Sequence, residues 1–161
     1  MSKKVYVLLA EGFELIEAMT PVDVLRRGGV EVVTVSITDN REVTSAQKVP
    51  VISDTTLKEK DITDGDMIIL PGGYPGYVNL GESQEVGKVL KYYVENNKFV
   101  GAICGAPTVL AKNEVFLGKE LTCHSSVVEE MKGYNYNGSK AFTDGNLITG
   151  MGAGLALNFA F

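Results

Sequence analysis

The sequence is short of cations, cysteine and histidine, and it contains no long hydrophobic run. Lysine plus arginine number 15 against 20 aspartates and glutamates, a formal net charge of −5. No basic footprint is therefore available to grip phosphate backbones, and no nucleic-acid partner is expected. No apolar segment approaches the ~20 residues of a membrane-spanning helix, and no basic region followed by an apolar stretch opens the chain. A cytoplasmic protein without a membrane partner is the expectation. Two cysteines do not make a disulfide framework, and a reducing compartment keeps both as thiols. One histidine and two cysteines facing different ways cannot assemble a zinc site. No metal and no cofactor are expected. The glycines of "GMGAG" (150–154) approach a dinucleotide fingerprint, but no strand with an acidic ribose partner follows them. Repeats, linkers and low-complexity segments are absent as well, so residues 1–161 read as one domain.

What is present is an alternation of strand-like and helix-like segments, the pattern of a mostly parallel sheet covered by helices on both faces. "KKVYVLLA" (3–10) is a near-continuous apolar run, as a central strand buried on both sides should be. Residues 12–30 carry a helical stripe of Ile16, Met19, Val22, Val24 and Leu25; Pro21 predicts a kink or break, and Gly28-Gly29 a stop. "EVVTVSI" (31–37) reads as a second strand, and residues 39–53 as a turn with short edge strands. "DMIILPGG" (66–73) reads as a third central strand, 83–97 as a helix capped by Ser83, and 99–103 as the next strand. A short helix from Pro107, a strand "ELTCH" (120–124), a helical "SVVEEMKG" and a hairpin turning at Asp144-Gly145 follow. "GAGLALNFAF" begins an apolar helix predicted to continue past Phe161.

Ligands of open parallel sheets gather outside the carboxyl ends of the strands. Cys104 sits at that edge, between a buried strand and Gly105-Ala106-Pro107, where a sharp turn holds a nucleophile clear of the backbone. The helix end beyond it favours a thiolate with a pKa below the free ~8.5. From the turn alone, a small buried hydrophobe is an equal reading of this cysteine. Other groups on the same edge favour chemistry. Gly72 and Gly73 end a neighbouring strand with amides free to meet an oxyanion. His124, the only histidine, ends "ELTCH" on the crevice side and could exchange protons with a thiol. Glu14 and Glu17 share a helix face; a Glu17 turned into the crevice would have a raised pKa and donate a hydrogen bond to sulfur. Cys123 points opposite to His124, into the core.

In order and spacing, "AEGFELIEAMTPVDVLRRGGVEV", "LPGG", "AICGAPTVLA" and "TCHSS" resemble the ThiJ/PfpI superfamily, closest to its protein deglycase branch. The resemblance implies a flavodoxin-like three-layer sandwich, a homodimer, and an elbow cysteine that is both nucleophile and redox-sensitive thiol. It places Cys104 as nucleophile, Glu17 as its carboxyl partner and His124 beside them. Gly72 and Gly73 match the oxyanion glycines, Gly105 lies in the same substrate-binding turn, and Arg27 and Lys48 match basic residues near the pocket. Gly105 stands where the intracellular-peptidase branch has a histidine, and Met151 and Ala153 where the deglycase branch commonly has arginine and proline. The implied activity is a glutathione-independent conversion of small reactive dicarbonyls, or of their early glycation adducts, without cofactor. A redox sensor or holdase using the same thiol, and a hydrolase of another substrate on this scaffold, are the alternatives.

Overall fold

Alternating apolar side chains along the first strand give it two buried faces. β1 (Lys4–Leu9) sends Val5, Val7 and Leu9 into one core and Tyr6 and Leu8 into the other, all fully or nearly fully buried. Each such side chain contributes roughly 1.5–3 kcal/mol of transfer free energy. In the computed structural model, which describes residues 3–161, β1 is followed by α1 (Leu15–Arg27), β2 (Glu31–Ser36), β3 (Glu42–Thr44), β4 (Pro50–Ile52), β5 (Thr55–Thr56) and β6 (Met67–Leu70). Then come α2 (Gly76–Glu82), α3 (Gln84–Glu95), β7 (Phe99–Ile103), α4 (Pro107–Lys112), β8 (Glu120–Leu121), β9 (Asn135–Tyr136), β10 (Ala141–Asp144), β11 (Leu147–Gly150) and α5 (Ala156–Ala160).

Seven strands form the central sheet in the order β10-β11-β7-β6-β1-β2-β5, all parallel except the β10 edge. One face carries a core of Leu80, Leu90, Tyr93, Val109 and Leu110 from α2, α3 and α4. The other carries Ala18, Val22, Ala156 and Phe159 from α1 and α5. This is the mostly parallel, doubly covered sheet that the alternation predicts, and the flavodoxin-like sandwich that the resemblance implies. The carboxyl ends of β1, β6 and β7, adjacent in the sheet, open between the two helical layers.

Local signals account for most of the boundaries. Ser83 Oγ accepts the Val86 N–H at 3.2 Å and starts α3, as its sequence position predicts. Pro107 opens α4 at the position where its missing N–H costs nothing. Residues 42–52 form the expected short hairpin, β3 with β4, apart from the central sheet.

Four expectations are corrected. α1 runs unbroken through Pro21, whose ring is buried, so the helix forfeits one backbone bond while its apolar face stays packed. The strand at 120–124 shrinks to Glu120–Leu121 and pairs with β9 in a separate ribbon. Beyond it, Thr122 N–H goes to Thr149 Oγ1 (3.0 Å) and Thr122 Oγ1 donates to the Ser139 carbonyl (2.6 Å), so side chains replace the ladder. The β10-β11 turn centres on Gly145-Asn146, one residue later than read, with Gly145 at φ +63°. The glycine turn after β6 leads into a further helix, α2, which the sequence does not announce.

Candidate active site

Cys104 lies immediately beyond β7 with φ +65°, a conformation that costs a non-glycine residue about 1–3 kcal/mol. The surroundings over-determine it. Its N–H donates to the Gly150 carbonyl (2.9 Å), its carbonyl accepts the His124 N–H (2.9 Å), and Ala106 N–H closes the turn onto the Ile103 carbonyl (3.0 Å). Thr108 fixes the next carbonyl, that of Gly105, through both its N–H (3.1 Å) and its Oγ1 (2.7 Å). Backbone strain at a half-buried thiol is thus held in place by β11, α4 and the segment at His124.

The backbone amides of Gly73 and Gly105 are near enough to Sγ to favour its charged form. Gly72 does something else. Its N–H donates to Glu17 Oε1 at 3.0 Å, so of the two glycines expected to serve an oxyanion, Gly72 has its amide engaged by a carboxyl. The correction follows from backbone direction: the Gly72 carbonyl accepts Glu14 N–H (2.9 Å), which turns residue 72 toward the start of α1. A Cβ at Gly72 would stand 2.5 Å from Glu17 Oε1, 2.7 Å from Cys104 Cβ and 2.8 Å from the Ile103 carbonyl oxygen. Gly72→Ala is therefore expected to destabilise the protein by about 1–3 kcal/mol. Thermal unfolding should show a midpoint lower by several degrees; an unchanged midpoint would mean the three elements are not in contact there.

Glu17 is completely buried. Glu14 caps α1 by accepting the Glu17 N–H at 2.9 Å, which sets Glu17 in the first turn facing the crevice. Burial raises its carboxyl pKa from 4.5 to about 7; the Cys104 thiol and the Gly72 amide pull it down and the Glu14 charge pushes it up. Oε2 has no partner in hydrogen-bond geometry, so the approach to sulfur is an electrostatic coupling rather than a formed bond. Burial likewise pushes Cys104 up, to about 12, assisted by the neighbouring Glu17 carboxylate and opposed by the two amides. The predicted depressed thiol is corrected: α4 has only six residues, and burial beside a carboxylate raises the thiol instead. The two groups titrate as a coupled pair, with the Glu17 carboxyl raised as well.

His124 is exposed and starts a 3₁₀ segment, Ser125–Glu130, rather than ending a strand. Its Nδ1 accepts the Ser126 N–H (3.1 Å) and lies 2.8 Å from Ser126 Oγ. That assigns the neutral ring an Nε2–H tautomer, so the free nitrogen donates rather than accepts. The backbone of His124 joins the elbow; no hydrogen bond links its imidazole to sulfur among the described residues. Arg27 is not at the site within this chain. It ends α1, ten residues beyond Glu17 and so ~15 Å along the axis, pairing with Asp23 at 2.6 Å in solvent. Lys48 is exposed at the tip of the β3-β4 hairpin with φ +67°. Cys123 is fully buried in the core, as read. Sequence reasoning missed Tyr77, whose ring lies against Gly105, because α2 has no capping side chain to announce it. No group of three or more His, Cys, Asp or Glu side chains suited to a metal occurs among the described residues, and no helix there is long and apolar enough to cross a membrane.

The geometry has close counterparts. Residues 3–161 match the model of the DJ-1/PfpI family. Protein dj-1beta of Drosophila melanogaster is 39% identical over 99% of this chain and 87% of its own length. Its crystal structure superposes with a TM-score of 0.95 over 99% of this chain and 87% of that one. A Caenorhabditis elegans relative named glutathione-independent glyoxalase DJR-1.2 is 35% identical over 98% of this chain and 85% of its own length. An elbow cysteine, a buried glutamate and paired amides thus stand on a scaffold and a sequence shared across nearly the whole chain, and the chain belongs to the DJ-1/PfpI family.

Proposed function

We propose that this chain converts small reactive dicarbonyls such as methylglyoxal, or their early glycation adducts, to 2-hydroxy acids without glutathione or metal. The observation that carries the reading is the single constellation of Cys104 at φ +65°, two amides that favour its charged form, and a buried Glu17 with a pKa of about 7. The relative named as a glutathione-independent glyoxalase supports it.

Burial raises the pKa of the thiol, so its activation accompanies attack. As the Cys104 Sγ–carbon bond forms at the aldehyde, Glu17 carboxylate takes the thiol proton, and the oxyanion develops toward the Gly73 and Gly105 amides. Glu17 passes that proton on to the oxygen, which completes a hemithioacetal and restores the carboxylate. Glu17 then removes the proton from the former aldehyde carbon, and the enediol is reprotonated on the adjacent carbon to leave a thioester. In this reading His124 Nε2–H donates to the second carbonyl oxygen. Hydrolysis by one water frees the 2-hydroxy acid and restores the thiol. One carbon is oxidised and its neighbour reduced, so no external redox partner is needed.

The test is lactate formation from methylglyoxal by chelator-treated protein without glutathione, followed by NMR. Lactate accumulating well beyond one equivalent per chain is expected. Consumption that stops at one equivalent would make Cys104 a scavenging or sensing thiol and overturn the catalytic reading.

A further inference from the structure

One aromatic side chain bounds the crevice and takes no part in the chemistry above. Tyr77 lies in the first turn of α2, its N–H bonded to the Gly73 carbonyl at 2.9 Å, so the loop that offers one amide to Sγ also aims this ring. The ring lies flat against the other donor. A Cβ built on Gly105 would stand 2.5 Å from both Cδ1 and Cε1 of Tyr77 and 2.9 Å from Cγ. Gly105 is buried and Tyr77 half-buried, while the adjoining Cys104 stays partly open. Tyr74 meets Tyr77 edge-on, ring centroids 6.1 Å apart at 63°, and stands in solvent. Such a pair adds ~0.5–1.5 kcal/mol beyond burial and resists displacement. The field of Cys104 also reaches the phenol, whose pKa is raised by burial first and then by Glu130 and Cys104.

We propose that Tyr77 sets the size limit of the Cys104 crevice: its ring, standing on Gly105, fills the space beyond the two amides. Small electrophiles reach Sγ, whereas those with a ring-sized group within a few bonds of the reacting carbon collide with Tyr77. The same contact explains why residue 105 has no side chain here. The substrate consequence rests on the proposed catalytic function; the steric gate itself does not.

The gate is read by alkylation of Cys104, the one accessible cysteine, since Cys123 is fully buried. In that reaction the Sγ–carbon bond forms, iodide leaves and the thiol proton passes to solvent. Rates are compared for iodoacetamide and N-phenyl iodoacetamide in wild type, Tyr77→Phe, Tyr77→Leu and Tyr77→Ala. The bulky-to-small rate ratio is expected to rise about tenfold or more in Tyr77→Ala, the scale set by a few methylenes of pocket space. Tyr77→Leu should fall between, and Tyr77→Phe should match wild type because the ring remains. Gly105→Ala should slow even iodoacetamide in wild type, yet cost little in the Tyr77→Ala background, a coupling that a general loss of stability would not produce. An unchanged ratio in both Tyr77→Ala and Tyr77→Leu overturns the gate, as does a Tyr77→Phe protein that behaves like Tyr77→Ala. The phenylglyoxal-to-methylglyoxal ratio of kcat/KM should follow the alkylation ratio. Should alkylation respond while no protein turns over either aldehyde, the gate stands and the catalytic reading falls.

Discussion

Cys104→Ala is expected to abolish lactate formation, lowering turnover on the order of 10⁴-fold or more, the usual scale for deleting a nucleophile. The folded protein should survive the change. Alanine keeps the Cβ and therefore the φ +65° strain, and the backbone bonds to Gly150, His124 and Ile103 do not involve the side chain. Cys104→Gly provides the contrast, since glycine adopts this conformation freely and should recover part of the ~1–3 kcal/mol stored there. Stability and activity would then separate: the glycine variant more stable, both inactive. Cys123→Ala should retain turnover, because that thiol is fully buried and outside the crevice. Lactate production by Cys104→Ala near the wild-type rate, measured with thermal unfolding as the folding control, would remove sulfur from the mechanism.

The fold was legible where a local rule and the tertiary environment agree. The run from Val5 to Leu9 predicts a strand covered on both sides, and both cores take it up. Ser83 and Pro107 announce helices that packing then extends. The turn at Cys104 was legible because Ile103 ends an apolar strand and Gly105 leaves room beyond the thiol. Legibility failed where side chains replace a backbone pattern, as at Thr122, or where a helix has no cap, as at Gly76 to Glu82. It failed too where the answer lies in amide direction. Nothing in "LPGG" says that Gly72 donates to a glutamate 55 positions away while the Gly73 amide acts on the thiol. Arg27 illustrates the remaining limit: its position in a motif resembles that of a pocket residue, but α1 carries it away from the crevice and Asp23 engages it. The thiol's pKa depends on the balance of burial, carboxylate and two amides, which only the assembled site supplies.

Glu17→Gln should change the pH dependence of both stability and rate, in opposite directions. In the folded protein the carboxyl titrates at about 7 rather than 4.5, because burial disfavours its charge. Below 4.5 it is protonated folded and unfolded, and no penalty exists. Between those values only the unfolded chain has released the proton, so stability falls as pH rises, and the loss is complete once pH passes the folded value. At 1.36 kcal/mol per unit the penalty above neutrality is of order 3 kcal/mol. Glutamine is nearly isosteric; its carbonyl can still accept the Gly72 N–H, and it never ionises. The variant should therefore lose this slope between pH 4.5 and 7 and exceed wild type in stability at pH 8, measured by urea unfolding across the range. Activity moves the other way. Wild-type kcat/KM should rise through an apparent pKa near 7 as the carboxylate base appears, whereas Glu17→Gln should be slower by ~10²- to 10⁴-fold with that limb gone. The same electrostatic penalty that destabilises the fold at pH 8 supplies the base, so relief of one without loss of the other would refute Glu17 as the proton acceptor.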